Sequence, residues 1–231
     1  MRGYGPELAQ ANSRAGPDTS SERCNSSLAR QQVNPMAKPR ATILTIGHST
    51  RSLDAFIDML RAQGVQRVVD VRTVPRSRHN PQFNRKTLAG VLHNRRIHYT
   101  HLAVLGGLRH ARKDSQNTGW RNSSFRGFAD YMQTPEFEEG LQKLVALARQ
   151  EQVAIMCAEA VPWRCHRSLI ADSLTVRGIP VKHIMSRTRA ETHTLTPFAH
   201  VQGTHVTYPA PQSSFACSSS GRACNSTSRQ N

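Results

Sequence analysis

The sequence predicts an α/β fold, a single three-layer domain in which a mostly parallel sheet carries helices on its faces. Three observations indicate this. Short runs of β-forming residues alternate with helical patterns between residues 41 and 190. The first run, ATILTIG at 41–47, is apolar enough for a strand buried within a sheet. The alternating stretch spans about 150 residues, an ordinary size for one domain.

The predicted strands and helices follow one another in regular order. Strands are expected at 41–47, 66–72, 97–102, 153–159 and 180–185. Helices are expected at 52–64, 84–96, around 125–132, 135–150 and 166–178. The first helix ends at a glycine and the fourth begins with Pro135 followed by glutamates, and both features are typical of helix ends.

The two ends of the chain differ from this middle part. Residues 1–40 and 191–231 are rich in small and polar residues and show no periodic apolar pattern. Such segments cannot bury enough apolar surface to offset their chain entropy, so both are expected to be disordered tails. No stretch has the apolar length of a membrane span, and we expect no membrane partner.

The charge of the domain favours an anionic partner. Residues 41–190 contain 23 Lys and Arg against 11 Asp and Glu, so they carry +12 of the chain's net charge of +16. Most of these cations are arginines, which bind phosphate and carboxylate groups in a bidentate manner. The composition therefore favours an anionic small molecule, a nucleotide or a nucleic acid as partner.

The five cysteines do not form the pattern of a disulfide framework. Cys24, Cys217 and Cys224 lie in the predicted tails, and only Cys157 and Cys165 lie in the domain. An odd number of cysteines without a secretory signal indicates a reducing compartment, so we expect a cytoplasmic location.

Polar residues follow several of the predicted strands. The first strand leads into His48 and Ser49, the second into Asp70 and Arg72, and the fourth into Glu159. Open parallel sheets bind their ligands beyond the carboxyl ends of the strands. These segments are therefore expected to meet at one edge of the sheet and form a site there.

The stretch CAEAVPWRCHRSLIAD at 157–172 allows three interpretations, of which the first is a metal site. Cys157, Cys165 and His166 could be ligands, but zinc sites usually pair cysteines at closer spacing than eight residues. We expect no metal and no other cofactor. A tyrosine phosphatase loop is excluded because Cys-x5-Arg is required, and Arg164 is the seventh residue after Cys157.

The second and third interpretations are a nucleophile and an anion site. Cys165 immediately precedes a predicted helix, where unpaired amide groups lower the pKa of a thiol, although it could equally be a helix-capping thiol without chemistry. The same helix start could bind an anion, with Arg72 as a second contact. Glu159 could be a general acid or base, or part of a structural ion pair. Cys157 is expected to be a small buried apolar residue.

Three blocks of the chain resemble a known family. TIGHSTRSLDAFIDML, VVDVRTVPRSRHNPQFN and MCAEAVPWRCHRSLIADSL resemble the signature blocks of domain of unknown function 488 (DUF488), a group of mostly bacterial proteins. The resemblance covers residues 42 to about 185. It implies no particular reaction, but it places these residues on motif positions: His48, Ser49, Asp70, Arg72, Pro75, Ser77, Cys157, Glu159, Cys165, His166 and Arg167.

These observations lead to three functional hypotheses. The first is a hydrolase or transferase acting on a phosphate-bearing or nucleotide-like anion, with catalytic residues Cys165, Glu159, His48 and Asp70 and substrate-binding residues Ser49, Arg72, Ser77, His166 and Arg167. The second is a nucleic-acid-binding module whose aromatic residues Trp120, Phe125, Phe128 and Tyr131 stack on bases, unless they pack into the core. The third is a cysteine-based sulfur-transfer or redox protein.

Overall fold

The computed structural model describes residues 42–211. Its strands are β1 (Ile43–Gly47), β2 (Arg67–Asp70), β3 (His98–His101), β4 (Val153–Cys157), β5 (Val181–Ile184), β6 (Ala190–Thr192), β7 (His200–Gln202) and β8 (His205–Thr207). Its α-helices are α1 (Leu53–Ala62), α2 (Arg85–Asn94), α3 (Ser123–Tyr131), α4 (Pro135–Ala148) and α5 (Arg167–Val176). Single 3-10 turns lie at Pro81–Phe83, Ala103–Leu105 and Pro162–Arg164. Within 42–211, no helix combines the length and the apolar character needed to cross a membrane.

The main sheet has six strands in the order β3-β2-β4-β1-β5-β6. The first five are parallel to one another, and only β6 runs antiparallel, beside β5. Strand β4 lies between β1 and β2, with Gly47 of β1 opposite Cys157 and Asp70 of β2 opposite Met156. The carboxyl ends of these three strands therefore meet at one edge, as the sequence predicts.

Side chains that alternate along the strands form two cores, one on each face of the sheet. Leu44 and Ile46 of β1 pack with residues of α1 and α2, including Phe56 and Leu88. Ile43 of the same strand packs on the opposite face with residues of α3, α4 and α5. The predicted three-layer α/β architecture is confirmed.

The structure corrects the predicted boundary at residue 190. Residues 191–211, assigned to a disordered tail, continue the fold through β6 and the β7–β8 hairpin. Val206 and Tyr208 are fully or almost fully buried against α5 and the loop before α3. The apolar residues of this stretch are scattered without a helical or strand period, so their burial depends on distant parts of the chain and not on local periodicity. The other predicted tail residues, 1–40 and 212–231, lie outside the described residues.

Candidate active site

A cavity of about 740 Å³ lies at the carboxyl edge of β1, β2 and β4. Seven of the nine predicted site residues line it: His48, Ser49, Arg72, Ser77, Glu159, Cys165 and His166. Cys157, Arg76 and Arg164 also line it. Asp70 and Arg167 do not belong to the wall, because both are buried behind it with at most 1% of their surface exposed.

The backbone at this edge holds the ends of β1 and β4 together. The amide groups of His48 and Ser49 donate to the carbonyls of Cys157 and Ala158 at 3.0 and 2.8 Å. A side chain on Gly47 would overlap the carbonyl of Glu159, so glycine is required for this close approach. The two segments that the sequence predicts to meet are therefore in direct contact.

Cys157, Cys165 and His166 form a compact group at the back of the cavity. The two sulfur atoms and His166 Nδ1 all lie within 4.8 Å of one another. His166 Nδ1 is 3.7 Å from Cys165 Sγ and 3.9 Å from Cys157 Sγ. A hydrogen bond from the Cys157 thiol, together with His166 and Arg167, holds the pKa of Cys165 well below its ordinary value of 9.0.

The surroundings shift the pKa values of the two thiols in opposite directions. The same hydrogen bond, together with burial, raises the pKa of Cys157 well above its ordinary value. Cys165 Sγ, in contrast, accepts a hydrogen bond from Arg167 Nε at 3.4 Å. Of the two thiols, Cys165 is therefore the one whose ionised form the surroundings stabilise.

Arg167 lies beneath the cysteine loop with 1% of its surface exposed. Its guanidinium also donates to the Glu159 carbonyl at 2.5 Å and to Thr45 Oγ1 at 3.3 Å. No carboxylate of residues 42–211 lies within ion-pair distance of it. A buried guanidinium requires a nearby anion, and the Cys165 thiolate is placed to supply it.

The second predicted cation, Arg72, is already neutralised. Its Nε and Nη2 donate to the two carboxylate oxygens of Asp70 at 2.9 and 2.6 Å. Tyr99 donates to the same carboxylate at 2.7 Å, and burial, followed by the Asp70 charge, raises the pKa of Tyr99. Asp70 thus orients Arg72 from behind the cavity wall and has no access to a ligand.

His48 is held as a neutral ring. Burial lowers its pKa, and the ring stacks on Phe83 with centroids 4.3 Å apart. A carbonyl can only accept, so His48 Nδ1 donates to Ser49 O at 2.9 Å, and Nε2 faces the Arg72 guanidinium at 3.2 Å as an acceptor. Both ring nitrogens are occupied within the protein.

The part of the cavity wall that is less buried than the thiols is formed by Glu159, Ser49 and Ser77. Glu159 is half-buried and accepts a hydrogen bond from the amide of Val161 at 3.3 Å. Ser49 adopts a positive φ of 48°, which turns the chain at the cavity edge. Ser77 Oγ accepts from the amide of Asn80, so this side chain also shapes its own loop.

The group of Cys157, Cys165 and His166 is the one cluster in residues 42–211 with three metal-ligating side chains. Its two sulfurs and one imidazole nitrogen would suit a soft or borderline metal ion. However, the Arg167 guanidinium lies 3.4 Å from one of the sulfurs, and a second cation beside it would be repelled. The charges at the site therefore fit a thiolate better than a metal centre.

A scan against protein families matches residues 52–174 to the family described as Domain of unknown function DUF488. The chain belongs to the DUF488 family. The match is shorter than the stretch expected from the resemblance and leaves out β1, His48, Ser49 and everything after residue 174. Comparisons with curated proteins and with solved structures found no match.

Sequence reasoning missed one residue of this DUF488 site and one hydrogen-bond chain behind it. It assigned Cys157 to the core, and the structure places the thiol both in the core and beside Cys165 in the cavity. Cys157 lies at the end of β4. The rule that sites form at the carboxyl ends of parallel strands, which identified His48, could have identified Cys157 as well. It also missed a buried chain of hydrogen bonds that links Thr45, His183, His193 and Asp172. No local pattern marks these residues.

The aromatic residues proposed to stack on bases mainly pack within the domain. Phe128 is fully buried, and Tyr131 donates to the carbonyl of Val104. Trp120 packs against Phe198 and Tyr208, and Phe125 both contacts Trp120 and lines the cavity. The hypothesis of nucleic-acid binding thus depends on the basic charge of the domain, with Phe125 as the remaining aromatic contact at the cavity.

Proposed function

We propose that this DUF488 protein is an enzyme that uses the Cys165 thiolate as a nucleophile on an anionic substrate, phosphate-bearing or nucleotide-like. The observation that carries the proposal is the buried Arg167 guanidinium, which has no carboxylate partner within residues 42–211 and donates to Cys165 Sγ. The thiolate is the nucleophilic form of cysteine, and a cation fixed beside it keeps it ionised at neutral pH.

The cavity wall supplies cations for the substrate. Arg76 and Arg164 are exposed on this wall, and neither has a carboxylate of residues 42–211 within ion-pair distance. Arg72 and Arg167 are occupied by Asp70 and Cys165. Substrate binding through charge is therefore a function of Arg76 and Arg164, with hydrogen bonds from Ser49 and Ser77.

Glu159 is the residue best placed to transfer a proton in a hydrolase or transferase reaction. Its carboxylate lies on the same wall as Cys165 and has one weak backbone donor, so it is free to approach a substrate. His48 has both ring nitrogens engaged and orients Arg72 instead.

The rate of Cys165 alkylation as a function of pH tests the proposal. The full-length chain with Cys24, Cys217 and Cys224 changed to Ser leaves two thiols, and Cys165→Ser is the control that identifies the reacting one. We expect the midpoint of the rate profile well below 9.0, because the hydrogen bond from Cys157 and the neighbouring His166 and Arg167 lower the pKa of this thiol. We also expect inorganic phosphate or a nucleotide to slow the reaction.

A double variant separates anion binding from thiol ionisation. Arg76→Met with Arg164→Met should weaken protection by phosphate while Cys165 still titrates below 9.0. The proposed function would be refuted by a midpoint near 9.0 in the two-thiol protein with both arginines present, together with no protection by phosphate or by a nucleotide.

A further inference from the structure

The site contains a second thiol in reach of the first. Cys157 and Cys165 are both free, both line the same cavity, and their sulfur atoms lie within 4.8 Å of each other. A disulfide needs sulfur atoms about 2.05 Å apart, a distance that side-chain rotation can supply from such a starting separation. Two thiols held this close are the requirement for an internal disulfide.

We propose that Cys157 and Cys165 form a dithiol–disulfide couple that exchanges with small disulfides carrying negatively charged groups. This activity is additional to the turnover proposed above and rests on the same nucleophile, Cys165. The surroundings assign different roles to the two thiols. Cys165 lies beside the Arg167 guanidinium and attacks first, and Cys157 retains its proton until the second step.

The exchange takes place in two steps, in which atoms and electrons balance. Cys165 thiolate attacks one sulfur of the substrate disulfide RS–SR, which forms Cys165–S–S–R and releases RS⁻. The Cys157 thiol then loses its proton and attacks Cys165 Sγ, so the Cys157–Cys165 disulfide forms and the second RS⁻ leaves. The substrate accepts the two electrons that the two thiols lose, and the reverse reaction regenerates the dithiol.

His166 is placed to assist the second step. Its Nδ1 lies 3.7 Å from Cys165 Sγ and 3.9 Å from Cys157 Sγ, so the N–H that stabilises the Cys165 thiolate before the first step can stabilise the Cys157 thiolate in the second. Gly107 packs directly against the imidazole ring, where a side chain would collide with Nδ1 and Cγ, so this glycine limits how far the ring can move.

The cavity selects for charge on the disulfide. Arg76 and Arg164 are exposed on its wall without an ion-pair partner among residues 42–211, and Glu159 is the one acidic side chain that lines it. A disulfide with carboxylates is therefore attracted, and a disulfide with ammonium groups is repelled.

The test compares two small disulfides, oxidised glutathione, which carries carboxylates, and cystamine, which carries ammonium groups. The full-length chain with Cys24, Cys217 and Cys224 changed to Ser is incubated with each, and products are followed by mass spectrometry of intact and digested protein. We expect an internal Cys157–Cys165 disulfide, formed about tenfold or more faster with oxidised glutathione because of electrostatic attraction.

Two single variants assign the roles. Cys157→Ser should stop at a glutathione adduct on Cys165, and Cys165→Ser should remain largely unmodified. If the two-thiol protein accumulates the Cys165 adduct without the internal disulfide, the couple is refuted while the nucleophile of the proposed function stands. If Cys165 fails to react with iodoacetamide as well, both proposals fail. Equal rates with the two disulfides would overturn the charge selectivity, and an initial adduct on Cys157 would overturn the assigned order.

Discussion

Arg167 illustrates how burial changes the role of a residue. A cation at the start of a helix is expected to bind substrate, and the sequence predicts that role for it. The structure turns the guanidinium away from the cavity, where it contacts Cys165 Sγ, the Glu159 carbonyl and Thr45 Oγ1. Because this charge has no carboxylate within ion-pair distance among residues 42–211, it stabilises the thiolate form of Cys165.

Replacing Arg167 should therefore change the ionisation of Cys165. Arg167→Met retains an unbranched apolar side chain and removes the charge, so we expect the pKa of Cys165 to rise by about one unit or more. The pH profile of alkylation measures this shift. Arg167→Lys keeps a cation and should shift the profile less.

The control for this experiment is Arg164→Met, which removes a cation that lies exposed on the cavity wall. It should leave the midpoint of the profile nearly unchanged. Equal midpoints for Arg167→Met and the parent protein, with both folded by circular dichroism, would mean that Arg167 does not stabilise the thiolate.

At the level of secondary-structure elements, a hydrogen-bond chain connects the site to the far strands of the sheet. Thr45 in β1 contacts His183 in β5 at 2.7 Å, and His183 contacts His193, just after β6, at 2.9 Å. His193 Nε2 donates to Asp172 in α5 at 2.8 Å. Thr45 Oγ1 also accepts a hydrogen bond from Arg167 Nη1 at 3.3 Å, which joins this chain to the residues behind the cavity.

This chain makes the stability of the fold dependent on pH. Burial, followed by the charges of His193 and Arg167, lowers the pKa of His183 from 6.5 to about 4. Between these values the unfolded chain binds a proton that the folded chain does not bind. The contribution of His183 to the free energy of unfolding is therefore complete above pH 6.5 and decreases as the pH falls toward 4.

Chemical denaturation at several pH values measures this dependence. His183→Gln should show a smaller loss of stability than the parent protein over that interval, because the lowered pKa is removed. His93→Gln on the exposed surface of α2 is the matched control and should retain the parental slope. The same slope for His183→Gln as for the parent would contradict the assignment.

At the level of the whole molecule, the segment after β5 completes the core. Tyr208 is fully buried, its hydroxyl donates to Asp172 at 2.7 Å, and its amide donates to Asn117. The ring packs with Trp120 and Phe198. This residue thus connects the end of the described chain to α5, which begins at the cysteine loop.

Shortening Tyr208 should destabilise the domain substantially. Tyr208→Ala is expected to lower the free energy of unfolding by about 3–5 kcal/mol, since it leaves a large cavity in the core. Tyr208→Phe removes only the hydroxyl and should lower it by about 1–3 kcal/mol, because the buried Asp172 loses a donor. Urea denaturation measures both. If Tyr208→Ala were as stable as the parent, residues 205–208 would not belong to the cooperative fold.

The sequence by itself determined the alternating elements, the parallel sheet and the edge at which His48, Arg72, Glu159 and Cys165 meet. These features follow from local periodicity and from the geometry of parallel strands, which both act over short stretches of chain. The sequence also indicated DUF488 membership through its ordered blocks.

Only the tertiary structure decided which polar groups face the cavity and which lie behind it. The pairing of Cys157 with Cys165, the burial of Arg167 without a carboxylate neighbour among residues 42–211, and the link from Thr45 to His183 depend on side-chain contacts between separate elements. The same is true of Tyr208, whose polar flanks predicted a tail. Burial and hydrogen bonding over long sequence separations leave no periodic pattern in the chain, and they determine the charge at Cys165.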